Sequence, residues 1–335
     1  SLYTRSISFR NFYSAGIHTN HGLYATLYSF PAMMKRNLMK GSVIPRYSGL
    51  PTVLKENGYY NLFFMTHEGQ YDNMNAFFRT NGYDEVFSQE DYPADKVVNS
   101  FGVQDDFLYD YAIPVLNQRA ATGQPFFATL LSISNHPPYV IPPFFHPKTS
   151  EPETQIVEYA DWALRQFFEE ARKQPWFDNT IFVLEGDHGK LVGDAECELP
   201  ESYNHIPLMI YSSRIQPEEK TTFGGQVDIQ PTILGLLNID YLQNNFGVDL
   251  LKEERPCMFY TADNMVVGRN DTLLYLYNYE TQQELTYDIG NGKLNAVPMD
   301  DSFLPLKEYS FSMLQSAEFL VKHGKTLNSI PFTQQ

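Results

Sequence analysis

Three apolar runs in this chain each end in a histidine. Residues 62–66 lead into His67, 126–133 into Asn135-His136-Pro137-Pro138, and 180–184 into Glu185-Gly186-Asp187-His188-Gly189. With only 8 histidines in the whole chain, three of them past strand-like runs point to a common site. An aspartate beside a neutral imidazole is a common pair of ligands for a divalent cation, and flanking glycines let a loop turn both toward one point. Asp187 and His188 are therefore candidate metal ligands. The competing reading, a pair that merely caps its loop, is outweighed by the two other histidines at equivalent positions. His136 and His67 suit an anionic substrate, because imidazole donates hydrogen bonds to phosphoryl oxygens or protonates a leaving group. For His136 a rigid proline loop with a satisfied ring is the rival. Asp72, Asn73 and Arg79 follow His67 on a helical stretch, where a solvated face is the alternative and is preferred for Arg79.

A hydroxyl completes the set. In 16–31, GIHTNHGLYATLYSFP, Thr19 opens a short helix whose buried side is Leu23, Leu27 and Phe30 and which Pro31 ends. Unpaired N–H groups and the positive end of the helix dipole favour an alkoxide there, and any phosphate joined to it. Thr is also an ordinary N-cap, and by itself that explanation would win. His18 and His21 beside it stay open between supporting groups and surface residues.

These residues need elements to hold them. The runs 62–66, 126–133, 180–184 and 208–211 read as buried strands. Between them, 151–173 repeats Ile156, Tyr159, Ala160, Ala163, Phe167 and Ala171 at helical spacing, acidic at its start, basic at its end, and stopped by Pro175. A second helix is expected over 228–237, with Asp228 as N-cap and Pro231 in its first turn. Strands alternating with helices predict an α/β fold with a largely parallel central sheet flanked by helices, whose strand ends gather the ligands. After about 255 the texture becomes an antiparallel meander, with turns at 268–271 and Asn291-Gly292, closed by a helix near 306–321. The expected domains are 1–252 and a small C-terminal α+β subdomain, 253–335.

Length and composition narrow the function. A chain of 335 residues with 43% hydrophobic content buries a substantial core. Its net charge of −16 excludes a general nucleic-acid binder and a polybasic membrane-surface module. Twenty-five Phe and 23 Tyr exclude a disordered chain, and no run of apolar residues is long enough to span a bilayer. No signal peptide and no initiating Met mark the start, which reads as the interior of a longer protein. Cys197 and Cys257 exclude a disulfide scaffold; they either bridge or stand as unpaired core residues.

Taken in order, the Thr at a helix start, the His after a strand, SNHPPY, YADWAL, FDNTIFVLEGDHG, NHIPLMIY and QVDIQPTILGLLNI resemble the sulfatase-like extracellular domain of the lipoteichoic acid synthase family, in the alkaline phosphatase superfamily. The resemblance covers roughly 8–250 and implies an alkaline phosphatase/sulfatase-like fold and a metal-dependent phosphoglycerol-type transferase. In that reading Thr19 is the nucleophile and a metal ligand with Asp187 and His188. His136 and His67 bind the substrate phosphate, with Asp72 beside them. The cofactor is one divalent ion, manganese first, magnesium or zinc otherwise. The donor is a phospholipid headgroup and the acceptor an envelope glycan or lipid. The catalytic domain faces the periplasm or exterior of a bacterial cell membrane, anchored by an N-terminal segment.

Two departures follow from the resemblance. An apolar strand ending in a metal-ligating Glu is implied upstream of residue 1. Asp72 and Met74 stand where glycerol-phosphate polymerases carry Trp and Arg, which shifts the expected headgroup away from lipoteichoic acid itself. A phosphoethanolamine transferase shares the threonine and metal logic. A sulfatase proper needs Cys or Ser in a C/S-x-P-S-R context, and neither cysteine has one. A non-catalytic envelope binding module is the remaining alternative.

Overall fold

The computed structural model describes residues 1–328. In chain order its strands are β1 (Ile7–Tyr13), β2 (Tyr60–Met65), β3 (Glu85–Phe87), β4 (Val97–Asn99), β5 (Gly102–Val103), β6 (Phe126–Leu131), β7 (Phe182–Glu185), β8 (Leu208–Tyr211), β9 (Glu218–Gly225), β10 (Met258–Thr261), β11 (Met265–Arg269), β12 (Leu273–Asn278), β13 (Gln283–Asp288) and β14 (Asn295–Ala296). Its helices are α1 (Thr19–Tyr28), α2 (Leu50–Glu56), α3 (Met74–Thr80), α4 (Asp105–Ala121), α5 (Pro152–Ala171), α6 (Ile229–Leu236) and α7 (Leu304–Lys322). The chain forms two compact units, one of Ser1–Leu38, Arg46–Leu50 and Ile181–Gln335, the other of Met39–Pro45 and Pro51–Thr180.

The second unit holds a parallel sheet in the order β3-β2-β6. Leu62 to Met65 are all fully buried, as a strand covered on both faces requires. At the sheet edge, all six residues of β6 are half-exposed. α5 buries Ile156, Tyr159, Ala163, Phe167, Phe168 and Ala171, the stripe expected from spacing with Phe168 in place of Ala160. Ile156, Tyr159 and Ala163 pack on Tyr109, Tyr139, Ile141, Phe145 and Trp162. The short hairpin β4–β5 lies over the end of β2. Gly102, at φ +89°, allows this, because a Cβ there would meet the Thr66 carbonyl oxygen at 1.6 Å.

The first unit holds the sheet β7-β8-β1-β9, in which β1 and β9 are parallel and β8 runs against both its neighbours. It also holds the antiparallel meander β10 to β14, against which α7 packs. The α/β architecture with a C-terminal antiparallel sheet is thus as the sequence predicts. Three local expectations differ. Gly268 lies inside β11 rather than in a turn, and a Cβ there would meet Ser310 Oγ at 2.4 Å, so its role is to admit α7. α1 ends at Ser29 in the left-handed region (φ 56°), before Pro31 is reached. Asp228 occupies the N-cap position of α6, but its carboxylate binds Arg255 and the N–H groups of Gly225 and Val248 instead of the helix end. Cys197 and Cys257 are both free thiols, so the core reading holds over the bridge.

Candidate functional site

β7 delivers its chemistry through its last residue and the loop that follows. Glu185 closes the strand, and Gly186-Asp187-His188-Gly189 turns back toward the start of α1. Thr19 is the first residue of α1, one position past the N-cap His18, whose side chain makes no cap bond. Thr19 Oγ1 donates to Asp187 Oδ2 at 2.6 Å. The capping explanation for this threonine therefore fails, and the expected meeting of a hydroxyl near the start with an acid past the midpoint holds. The His188 backbone N–H donates to Asp187 Oδ1 at 2.9 Å, which fixes the carboxylate's rotation. The His188 ring lies with Nδ1 2.7 Å from the Gly189 carbonyl and Nε2 3.7 Å from Asp187 Oδ2. A ring whose Nδ1–H is held by a carbonyl presents its other nitrogen as an acceptor or ligand.

Three features absent from the sequence reading lock this arrangement. Gln226, fully buried, accepts from the Ala15 N–H at 2.9 Å and donates to the carbonyls of Asp187 (2.8 Å) and Gly186 (3.2 Å), so one amide joins both backbones that carry the site. Gly22 faces the same loop, where a Cβ would meet the Asp187 carbonyl oxygen at 2.4 Å. Thr26 donates to Glu185 Oε1. Although Glu185 as a residue is half-buried, its Oε2 is shut off from solvent with no hydrogen-bond partner among the described residues. Burial pushes this carboxyl up to about 8, against the Thr26 hydrogen bond and with the Asp187 charge adding. Gly22→Ala is expected to cost about 1–3 kcal/mol, because the methyl group strikes backbone that cannot swing aside. The midpoint of urea unfolding checks this; an unchanged midpoint would show that the loop yields freely.

His18 and His21 divide as structural neighbours. His18 Nε2 lies 2.6 Å from Asp263 Oδ1 at the turn between β10 and β11. His21 is buried, and burial, with the charge of His18 adding, pushes its ring down to about 4. Its role is that of a neutral core residue.

The other predicted residues lie in the second unit. His67 is buried, with Nδ1 3.0 Å from the Glu68 carbonyl, and burial lowers its pKa. His136 is exposed, its Nδ1 2.6 Å from the Pro137 carbonyl. β2 and β6 are parallel neighbours, and aromatic rings connect their ends: His67 to Tyr71 at 4.8 Å, Tyr71 to Phe101 at 6.4 Å, Phe101 to His136 at 4.1 Å. Phe101, at the tip of the β4–β5 hairpin, carries no chemical signal in sequence. Asp72 lies in the 3₁₀ turn Tyr71–Asn73 rather than on a helix, and both it (φ 50°) and Asn73 (φ 62°) are left-handed, a conformation costly for residues with a Cβ. The Asp72 charge is met by Lys40 at 2.8 Å, so the acid gained here arrives with its own cation. Arg79 is exposed and bonds Asn75 and the Val86 carbonyl, the solvated face expected of it.

A cation fits the first-unit donors in chemical type: a carboxylate, a ring nitrogen and a hydroxyl. Among the described residues no group of three or more His, Cys, Asp or Glu side chains could hold a metal ion, so a cation here would take Thr19 as its third donor. Residues 1–239 match the family model described as Sulfatase. The chain is 26% identical over 270 residues to lipoteichoic acid synthase 1 of Bacillus subtilis, covering 74% of this chain and 40% of that protein. It is 25% identical over 242 residues to phosphoglycerol transferase I of Xanthomonas campestris, covering 69% and 34%. It therefore spans well under half the length of these curated relatives. A solved structure of an alkaline phosphatase superfamily protein from Vibrio parahaemolyticus superposes with a TM-score of 0.87 at 26% identity, covering 97% of this chain and 81% of that one.

Proposed function

Because the chain belongs to the sulfatase family of enzymes, whose model its residues 1–239 match, we propose that it is the catalytic part of a metal-dependent phosphotransferase. It moves a phosphoglycerol-type headgroup from a phospholipid to an envelope glycan or lipid acceptor through a phospho-threonine intermediate. The observation that carries this reading is the 2.6 Å contact between Thr19 Oγ1 and Asp187 Oδ2, made by a threonine that opens α1 just past its N-cap. Relatives named lipoteichoic acid synthase and phosphoglycerol transferase support the choice of headgroup over sulfate or phosphoethanolamine.

In the first step Thr19 Oγ1 bonds to phosphorus as the bond from phosphorus to the diacylglycerol oxygen breaks. The hydroxyl proton leaves toward Asp187 Oδ2 and ends on that departing oxygen. In the second step an acceptor hydroxyl oxygen bonds to phosphorus, the Oγ1–phosphorus bond breaks, and the acceptor's proton returns to Thr19. Asp187, His188 and Thr19 would hold the divalent ion, manganese first and magnesium or zinc otherwise. Its chemistry when bound is to lower the hydroxyl pKa and neutralise phosphoryl charge. His136, His67 and Asp72 bind the donor's phosphate and headgroup. The site faces the periplasm or cell exterior, with membrane contact through an N-terminal segment; no helix among the described residues is long and apolar enough to cross a membrane. In this reading 253–335 is a small subdomain after the catalytic 1–252; its described part, to residue 328, belongs to the same compact unit as the segments that carry Thr19 and Asp187.

The test is mass spectrometry after incubation with phosphatidylglycerol and manganese. A phosphoglycerol adduct is expected on the peptide containing Thr19 and absent from Thr19→Ala. Turnover retained by Thr19→Ala would end this reading.

A further inference from the structure

Two side-chain hydrogen bonds join α1 to the end of β7 and the loop after it, and only the first has been given chemistry. Thr19 donates to Asp187, and Thr26 donates to Glu185. Residues 19, 22 and 26 are spaced by three and four, so they form one stripe of the helix. Thr19 and Thr26 are separated by about 10 Å along its axis. On the other side Glu185 and Asp187 are two residues apart. Midway along the stripe, Gly22 lets the Asp187 carbonyl come against the helix backbone.

Packing of the buried Tyr24, Ala25, Leu27 and Tyr28 holds α1 in place but is not directional at the ångström level. Two hydrogen bonds on one stripe set its rotation and its axial position more finely. The second bond is expensive in residue choice, which argues for a purpose. Threonine is a mediocre helix former whose hydroxyl normally turns back to its own helix carbonyl, yet the Thr26 hydroxyl leaves the helix for a carboxylate 159 positions away. Glu185 ends an otherwise apolar strand, and its Oε2 is buried without a hydrogen-bond partner among the described residues. A leucine there would close the strand without the cost of a buried carboxyl.

We propose that Thr26 and Glu185 are a positioning pair for the transfer reaction: they fix the rotation of α1 and so hold Thr19 Oγ1 on Asp187. Neither touches the reacting atoms. The proposal rests on the reading of Thr19 as nucleophile. Displacement of a nucleophile by an ångström costs up to about 10²-fold in rate, so the pair acts on kcat and leaves substrate affinity alone.

The experiment measures kcat and KM of the full-length protein for bis(p-nitrophenyl) phosphate with manganese, alongside the rate of adduct formation on Thr19 from phosphatidylglycerol. Thr26→Val and Glu185→Leu are expected to lower kcat by about tenfold or more with KM changed by less than about threefold. Thr26→Ser, which keeps the hydroxyl, and Glu185→Gln, which keeps the acceptor, are expected to stay within about threefold of the parent. Should Thr26→Val fold poorly, the Glu185 pair of variants carries the comparison. A Thr26→Val or Glu185→Leu protein with parental kcat, a loss confined to KM, or conservative variants as impaired as the disruptive ones would overturn the proposal. Thr19→Ala separates the two readings. If it stays active, the nucleophile assignment falls; if it is dead while Thr26→Val and Glu185→Leu are unimpaired, only the positioning role falls.

Discussion

Asp187→Asn is expected to lower turnover on the order of 10³-fold while leaving the fold intact. The reason lies in which oxygen faces which partner. The His188 backbone N–H donates to Oδ1, so an asparagine at 187 keeps its carbonyl oxygen there and is forced to point its NH₂ toward Thr19. The Thr19 hydroxyl then meets a donor where it had an acceptor at 2.6 Å, and the negative charge that would draw both its proton and a divalent cation is gone. Losses of 10²–10³ follow from removing one well-aimed electrostatic partner, and in the proposed mechanism a metal ligand goes with it. Two measurements belong together: turnover, and manganese uptake by the purified protein. His188→Gln is expected to weaken uptake while leaving the Thr19–Asp187 contact, so its rate should partly recover at high manganese, whereas that of Asp187→Asn should not. An Asp187→Asn protein within tenfold of the parent would remove the carboxylate from the mechanism.

The sequence exposed this site unevenly, for physical reasons. Gly186-Asp187-His188-Gly189 was legible because an acid–imidazole pair at a strand end is a local pattern, complete within four residues. Thr19 was legible only as a threonine at a helix start. What separates it from an ordinary cap is a carboxylate 168 positions away, and no local spacing encodes that. Gln226 stood in the quoted QVDIQPTILGLLNI stretch, but its role was invisible for the same reason, its amide serving three backbone groups in two distant segments. Glu185 belongs to β7, one residue beyond the strand's expected end, because a buried carboxyl held by Thr26 can sit where the pattern asks for a loop. Asp72 showed its charge but not Lys40, which comes from a segment with no periodicity of its own. The α5 stripe and the C-terminal meander were legible because their side-chain periods repeat over many residues, so one misassigned position, such as Ala160 or Gly268, leaves the element standing.

Arg255→Met is expected to destabilise the protein by about 3–5 kcal/mol, because it leaves a buried carboxylate without its cation. Asp228 is fully buried, and Arg255 nearly so. The guanidinium donates to Asp228 Oδ2 from Nε at 2.8 Å and to Oδ1 from Nη2 at 2.5 Å, while Nη1 reaches the Tyr309 hydroxyl at 2.5 Å and Nη2 the Phe246 carbonyl at 2.7 Å. The Gly225 and Val248 N–H groups, each at 2.9 Å, complete the shell of Asp228. Those two N–H bonds remain in the variant, but they are not enough to hold a full negative charge away from water. The damage should reach the site as well as the fold, because Asp228 is two residues past Gln226, whose amide clamps the Asp187 loop. Urea unfolding should therefore show a lower midpoint, and turnover should fall below what the folded fraction accounts for. Arg255→Met combined with Asp228→Leu is expected to regain most of the lost stability, since the penalty belongs to the orphaned charge and not to the missing pair. If the double variant unfolds as readily as Arg255→Met alone, the bridges to Tyr309 and Phe246, and not the charge of Asp228, are what Arg255 supplies.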